Sequence, residues 1–431
     1  MGNNFYSSAP NSWSIKKFGD IAKITCGVAA TPEYVDESIG VPFFSASNVQ
    51  KGKLKLNKIK YIPVELHNKL TKNTKPEKGD VLMTRVGAGI GEAAVVTVDY
   101  DFSVYVSLTL IKCGKLLDSN FVQAVLNTDY YRYLALREQF AGGGVQNLNV
   151  QMVKDYIFPV PPIPEQRKIA QILSTWDRGI ATTEKLIDAS KQQKKALMQQ
   201  LLTGKKRLIN PETGKAFQGE WKFKSISNIS TRIQRKTDGQ EHPILTISSL
   251  SGFVSQSDKY SRYMAGESVK NYILLNKGEF AYNKGNSKTY QFGCVFDLDT
   301  FDTGLVPHVY VCFKLKDGLS HNYFKYLFEA DYLKPQLAGL VNTGVRNNGL
   351  LNIKPAEFMK TKVPVPCYEE QEKIAKLLHA SSRHISALEA KLAHLKQEKK
   401  ALMQQLLTGK RRVNIAEIKV ATEETLEVEV A

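Results

Sequence analysis

The chain has 431 residues, of which 42% are hydrophobic, so it has room for two or three domains with ordinary apolar cores. Its formal net charge of +17 makes nucleic acid a reasonable first partner to consider, with an incidentally basic surface as the alternative. The N-terminus lacks a basic region followed by an apolar stretch, and no apolar run reaches the ~18 residues that span a bilayer, which predicts a cytoplasmic protein.

The first half of the chain combines strand-like runs with a helical stretch, which predicts a mixed α/β domain. The strand-like runs cover residues 81–84 and 104–111, and residues 120–139 have helical spacing. The first strand ends at Arg85, beside the glycine-rich segment 87–91. An arginine there can donate hydrogen bonds to phosphate or to guanine, so Arg85 is a candidate DNA contact. A hairpin with a solvated charge is the alternative.

A second candidate contact region is the loop Gly142-Gly-Gly-Val-Gln-Asn147. Glycines let a backbone approach nucleic acid closely, and the amide side chains of Gln146 and Asn147 suit base edges. A plain helix-terminating loop is the alternative.

A long helix is predicted after Pro161-Pro-Ile-Pro164, because proline is tolerated only in a first helical turn. Apolar residues then recur every three or four positions, in a heptad pattern broken at Thr183, Ser190 and Lys194. Gly204, followed by basic residues, predicts a left-handed C-terminal cap. A helix of ~40 residues would be about 60 Å long, which suits a spacer or a platform.

The second half repeats this order, with strand-like runs at residues 280–282 and 306–313 and a helical stretch at 322–336. Strand-end and loop side chains again suit phosphate, guanine or adenine. They are Asn283, Lys284, Asn286, Lys288, Arg346 and Asn347.

The repeat is explicit in the helices. The twelve residues from Lys194 to Lys205 occur again, unchanged, at 399–410, and Glu165-Gln166 recurs 205 residues later. The globular parts align only with drifting offsets, so they have diverged by insertions. We expect the two helices to pair antiparallel as a coiled coil, with one globular domain at each end and a pseudo-two-fold axis between them, because the chain can then run down one helix and back along the other.

The identical helix residues include side chains on faces that packing alone would not constrain. This favours a docking surface for two copies of one partner over a merely internal stalk. The candidate docking residues are Lys194, Lys195, Gln199, Gln200, Lys399, Lys400, Gln404 and Gln405.

Signatures of catalysis, cofactors and metals are missing from the sequence. Leu202-Thr-Gly-Lys205 lacks the earlier glycine of a phosphate-binding loop, and the glycines of segment 87–91 are too closely spaced for a dinucleotide fingerprint. The five cysteines form no C-x-x-C pair, which indicates reduced thiols. We therefore expect a non-catalytic chain with no cofactor or metal of its own; an enzyme with an unrecognised motif is the alternative.

Three features together resemble the specificity subunit of type I restriction-modification enzymes. They are the duplicated Pro-x-Pro…Glu-Gln-x-x-Ile-Ala segment at 159–170 and 364–375, the Leu-Leu-Thr-Gly-Lys helix ends, and the alternation of variable region and constant helix. The second copy departs from the proline-rich form at Cys367-Tyr-Glu369, which leaves the start of that helix less defined.

The resemblance implies two target recognition domains, each reading half of a split site in double-stranded DNA. It implies that the helices set the gap between the half-sites and bind two modification (methyltransferase) subunits, and that restriction subunits join outside these. S-adenosylmethionine and ATP with Mg²⁺ would then be held by the partner subunits. A coiled-coil scaffold with non-specific DNA binding is the other possibility.

The resulting organisation is α+β, with five segments. They are a first recognition domain (1–160), a first long helix (161–208), a second recognition domain (209–363), a second long helix (364–412) and an acidic tail (413–431).

Overall fold

The computed structural model describes residues 6–7, 9–29, 32–138, 147–259, 266–285, 287–341 and 351–414. The chain divides into two compact units, the first formed by residues 1–183 with 391–431 and the second by residues 184–390. Both divisions fall inside long helices. Each unit therefore contains one globular domain and one end of each long helix.

The first unit has a four-stranded antiparallel sheet with strand order β2-β10-β7-β8, a three-stranded sheet β6-β3-β9 and the pairs β1-β11 and β4-β5. Its strands are β1 (Ser14–Lys17), β2 (Ala22–Cys26), β3 (Val41–Phe44), β4 (Val49–Gln50), β5 (Lys53–Leu54), β6 (Lys60–Ile62), β7 (Val81–Thr84), β8 (Ala93–Val95), β9 (Ser103–Val104), β10 (Leu108–Cys113) and β11 (Ile157–Val160). Its helices are α1 (Phe18–Ile21), α2 (Val64–Thr71), α3 (Ser119–Leu126), α4 (Asp129–Glu138) and α5 (Val150–Lys154), with a 3₁₀ turn at Ala46–Asn48.

The second unit is built to the same plan. Its main sheet has the equivalent order β13-β20-β17-β18, and β12-β21, β14-β15 and β16-β19 form pairs. Its strands are β12 (Lys222–Ser225), β13 (Ser230–Ile233), β14 (Leu245–Ser248), β15 (Gly252–Ser255), β16 (Ile273–Asn276), β17 (Phe280–Asn283), β18 (Cys294–Asp297), β19 (Thr303–Val306), β20 (Val311–Leu315) and β21 (Lys362–Val365). Its helices are α7 (Ile226–Ile229), α8 (Gln256–Lys259), α9 (His321–Glu329), α10 (Lys334–Leu340) and α11 (Pro355–Met359), with a 3₁₀ segment at Gly266–Asn271.

The two long helices are α6 (Ile163–Leu201) and α12 (Tyr368–Leu406), each of 39 residues. α12 begins at Tyr368 although its entry has lost the prolines of the first copy. Gly204 and Gly409 follow the helix ends with φ of 71° and 75°, and Lys206 N donates to Gln200 O over 3.1 Å. The left-handed caps predicted from sequence are therefore confirmed.

The antiparallel pairing of the helices is visible within each unit. In the first unit, Lys399 Nζ lies 2.6 Å from Asp177 Oδ1, at positions well inside both helices. In the second, Lys191 Nζ lies 2.7 Å from Glu389 Oε1. The partner number on α12 falls as the number on α6 rises, so the helices run in opposite directions, and the predicted antiparallel coiled coil is confirmed.

The helix ends are also part of the domain cores. In the first unit, Ile169 and Leu406 are buried in one cluster with the aromatic residues Phe121, Tyr131 and Phe158. In the second, both long helices contribute to the cluster that contains Phe313 and Phe358. Each globular domain is consequently held against the helix pair by a continuous hydrophobic core.

Two predicted strands are broken in the structure. The run 104–111 divides into β9 and β10, because β9 pairs with β3 in one sheet and β10 pairs with β2 and β7 in another. A turn in which Leu108 N donates to Tyr105 O over 2.9 Å joins them. The run 306–313 is wrong in the same way, since β19 pairs with β16 and β20 belongs to the main sheet.

Two predicted helices are also broken. The stretch 120–139 is interrupted between α3 and α4, where the Asn127 side chain accepts from Ala93 N (3.0 Å) and donates to Ala93 O (2.7 Å). The stretch 322–336 is interrupted between α9 and α10, where Asp331 has a positive φ of 54° and Pro335 occupies the first turn of α10.

The first residue of the Glu-Gln repeat explains how α6 is anchored. Glu165 is fully buried in the first turn of α6 and accepts hydrogen bonds from Trp13 Nε1 (3.1 Å) and from Arg412 Nε (2.6 Å) and Nη2 (2.9 Å). Trp13 precedes β1, and Arg412 follows α12. One carboxylate therefore joins three separate parts of the chain within the first unit.

The second unit repeats this buried ion pair. Glu370, in the first turn of α12, accepts from Trp221 Nε1 (3.0 Å) and from Arg207 Nε (2.6 Å) and Nη2 (2.7 Å). The glutamine of each repeat ties its helix to the neighbouring domain: Gln166 Oε1 accepts from Asp118 N over 2.8 Å, and Gln371 Oε1 accepts from Ser320 N over 2.9 Å.

Removing the arginine from one of these pairs should destabilise its unit. Arg207→Ala leaves the carboxylate of Glu370 buried with a single donor, and we expect the free energy of unfolding to fall by about 2–3 kcal/mol. Urea denaturation measures this change. Lys205→Ala, at an exposed position two residues earlier, is the matched control and should change stability by less than about 0.5 kcal/mol. Equal stabilities of the two variants would contradict the role given to the pair.

Candidate nucleic-acid interface and helix surface

Two of the predicted contacts in the first unit, Arg85 and Asn147, are brought together. Arg85 follows β7 and is only 7% exposed, and its Nε donates to Asn147 Oδ1 and to Leu148 O, both over 3.0 Å. Its own carbonyl accepts from Leu148 N over 2.9 Å. Asn147 is exposed, so the guanidinium orients an amide at the surface. The geometry gives Arg85 a positioning role that the sequence did not indicate.

The second unit contains the same backbone connection. Lys284, immediately after β17, accepts a hydrogen bond at its carbonyl from Leu351 N over 3.0 Å. Asn283 Oδ1 accepts from Gly285 N over 2.9 Å, which shapes the start of the loop, and Lys288 is exposed farther along it. The loop after the strand and the segment before α11 are thus joined in this unit as in the first.

Four of the predicted contacts lie outside the described residues: Gln146, Asn286, Arg346 and Asn347. Their roles stay predictions.

A basic hairpin in the first unit was missed by the sequence argument. Lys51 and Gly52 form the turn between β4 and β5, both with positive φ, and Lys51 N donates to Glu92 Oε2 over 2.9 Å. Exposed lysines cover this hairpin and the chain after it. They are Lys51, Lys53, Lys58 and Lys60. The Lys-Gly pair between two short β-prone runs was the available signal, because such turns need φ > 0.

The duplicated helix lysines are used within the chain. Lys194 Nζ lies 2.6 Å from Glu329 Oε1 and 5.2 Å from the centre of the Tyr326 ring. Lys399 pairs with Asp177 on α6. Their identity in the two copies therefore has a packing explanation, which corrects the reasoning that packing would not constrain them. The side chains that remain on the surface are Lys195, Gln199, Gln200, Lys400, Gln404 and Gln405.

In the first unit these surface residues border a groove of about 200 Å³ between the start of α4 and the last turns of α12. Lys400 Nζ lies 2.8 Å from Asp129 Oδ2 at its rim, and this hydrogen bond raises the pKa of Lys400 above its ordinary value. Met403 and Leu407 supply apolar lining, and Gln404 adds an amide. The groove can accept a partner that has both apolar and hydrogen-bonding groups.

Two searches of the described part of the chain had negative outcomes. No cluster of three or more His, Cys, Asp or Glu side chains there could hold a metal ion. Among the same residues, no helix has the length and apolar character that crossing a membrane requires.

Comparison with known proteins identifies the family. The family model of the type I restriction modification DNA specificity domain matches residues 10–192 and, a second time, residues 219–397. The chain belongs to the type I restriction-modification DNA specificity family. The resemblance seen in the repeated helix segments is therefore confirmed, and so is DNA recognition as the function.

Relatives match this chain along most of their length. A putative type I restriction enzyme MjaX specificity subunit from Methanocaldococcus jannaschii is 24% identical and covers 94% of this chain and 95% of its own length. The type I restriction enzyme EcoKI specificity subunit from Escherichia coli is 22% identical and covers 85% of this chain and 81% of its own length.

Solved structures show the same fold at low sequence identity. The HsdS subunit from Thermoanaerobacter tengcongensis has a TM-score of 0.51 at 15% identity and covers 95% of this chain and all of its own. The S subunit of a type I restriction-modification system from M. genitalium has a TM-score of 0.53 at 15% identity, covering 92% and 96%. The α+β fold with two recognition domains and long coiled-coil helices is thereby confirmed.

Proposed function

We propose that this specificity chain reads a bipartite DNA site with one unit for each half-site. The observation that carries the proposal is the duplication of the whole recognition apparatus. Each unit has its own four-stranded sheet and its own strand-end loop, tied through Arg85 in one unit and Lys284 in the other to the segment before the next helix. The side chains on these equivalent frames differ, which suits two different half-site sequences.

The protein–DNA complex should be strongly sensitive to salt. Each phosphate neutralised by Lys or Arg lowers the slope of log K against log salt by about 0.9. The assay uses the chain in complex with its modification subunits and compares cognate with scrambled duplexes over a range of salt. Equal affinity for both duplexes would favour the scaffold alternative, and a flat salt response would contradict phosphate contact.

The same assay tests the division of labour. Arg85→Ala should relax recognition in one half-site only and Lys288→Ala in the other, with each lost base contact weakening binding by about 1–3 kcal/mol. Each variant is the control for the other. If both variants altered preference in the same half-site, the assignment of one unit to each half-site would be wrong.

The partner proposal is that two modification subunits dock on equivalent helix surfaces, and that restriction subunits join through them. The exposed glutamines support it, because Gln199 and Gln404 occupy the same place in the two copies. Under this proposal the chain holds no cofactor itself. S-adenosylmethionine would bind to the modification subunits, and ATP with Mg²⁺ would bind to the restriction subunits.

Single substitutions should halve the number of docked subunits. We expect Gln199→Arg and Gln404→Arg each to leave one modification subunit bound, and the double variant to leave none, because a bulky charge is placed in each interface. Native mass spectrometry counts the subunits. Gln192→Arg, on an exposed helix position outside the identical segment, should keep two. Loss of both subunits from either single variant would argue against two independent docking surfaces.

The helices should also set the gap between half-sites. An insertion of seven residues, one heptad, preserves the seam and lengthens a helix by about 10 Å. We expect matched insertions after Glu184 in α6 and after Glu389 in α12 to widen the preferred gap by about three base pairs, at about 3.4 Å each. Methylation sequencing reads the gap. An unchanged gap, or altered half-site bases, would show that the helices are not the ruler.

A further inference from the structure

An apolar side chain stands at the tip of a hairpin in the second unit. Leu250 lies in the turn between β14 and β15 and is 84% exposed. The hairpin does not lack a core, because Leu245, Ile247 and Phe253 are buried in it. Holding a whole leucine side chain in water is unfavourable, so an exposed leucine on a rigid tip suits a surface that becomes covered on binding.

The turn around Leu250 is rich in hydroxyl groups. Ser248, Ser249 and Ser251 flank it, and Leu250 N donates to Ser248 Oγ over 3.4 Å. Ser248 pairs with Gly252, which closes the hairpin. Serine hydroxyls and backbone amides are common donors to DNA phosphates, so the tip combines one apolar contact with groups that suit a DNA backbone.

The hairpin is joined to the loop that carries the predicted DNA contacts. Gly252 packs on the ring of Phe296, where a Cβ atom would lie 3.3 Å from Cδ1. Phe296 in turn packs edge-on against Tyr290, with ring centroids 5.9 Å apart. Tyr290 closes the turn that contains Lys288, because Ser287 N donates to Tyr290 O over 3.1 Å. The hairpin and the Lys288 loop therefore rest on one aromatic pair.

The first unit has an equivalent hairpin with a different tip. There the tip residue is Lys51, and its backbone amide is bonded to Glu92, just after the 87–91 loop that follows Arg85. Both units thus place a hairpin tip beside the loop after the third strand of the main sheet. One tip is a cation, which can bond phosphate or guanine, and the other has no donor or acceptor in its side chain.

We infer that Leu250 is a specificity-determining residue that contacts the 5-methyl group of a thymine in the second half-site. The thymine methyl is the apolar group on the base edges of the major groove, and it is therefore the feature that a leucine tip can distinguish. The inference rests on the proposed function, in which the second unit reads DNA.

The test removes the methyl group and the leucine separately. Methylation sequencing first defines the second half-site, and each thymine in it, on either strand, is then replaced by deoxyuridine in a binding duplex. The parent complex should bind one of these duplexes about fourfold more weakly, the factor expected from burying one methyl group. In Leu250→Ala the same two duplexes should bind equally. Leu186→Ala, an exposed leucine on α6, should keep the parent's discrimination.

Three outcomes would overturn the inference. They are a second half-site without thymine, a parent complex that does not distinguish thymine from deoxyuridine there, and discrimination that persists in Leu250→Ala. Because Leu250 is at the surface, its variant should unfold at the parent's midpoint. Failure of the proposed function is distinguishable, since the parent would then bind scrambled and cognate DNA alike.

Discussion

A buried carboxylate at the start of each long helix is the interaction on which the rest of the structure depends. Glu165 and Glu370 have no access to water, so each needs its charge compensated, and the compensation comes from an arginine that follows the other long helix. The pair therefore forms only when one helix begins where the other ends. This condition requires antiparallel helices in a fixed register, and an adjacent tryptophan N–H places the first strand of the domain in the same contact.

The same arrangement explains how the domains vary while the helices do not. The frame of each recognition loop is held by backbone hydrogen bonds, from Leu148 to Arg85 and from Leu351 to Lys284, and these do not depend on which side chain follows the strand. A lysine can replace an arginine there without loss of the frame. The hairpin tips show the same freedom, with Lys51 in one unit and Leu250 in the other. Side chains at these positions can change with the DNA sequence while the core stays intact.

Surface charge alone is a poor guide to which residues contact a partner. Lys194 and Lys399 are identical in the two copies, yet each is used in an ion pair inside its own unit. Arg85 lies at a strand end, where a DNA contact is plausible, yet its guanidinium is buried and holds Asn147. Long cationic side chains can serve packing as well as recognition, and only their neighbours distinguish the two uses.

The sequence by itself determined the repeat, the long helices with their glycine caps, the α+β class and the family. These follow from local rules, because heptad spacing, first-turn prolines and positive-φ glycines act over a few residues. Only the tertiary structure decided that residues 104–111 and 306–313 each divide between two sheets, that Asn127 ends a helix by bonding Ala93, and that Glu165 pairs with Arg412. These features depend on partners far away in the chain, and no local pattern specifies such partners.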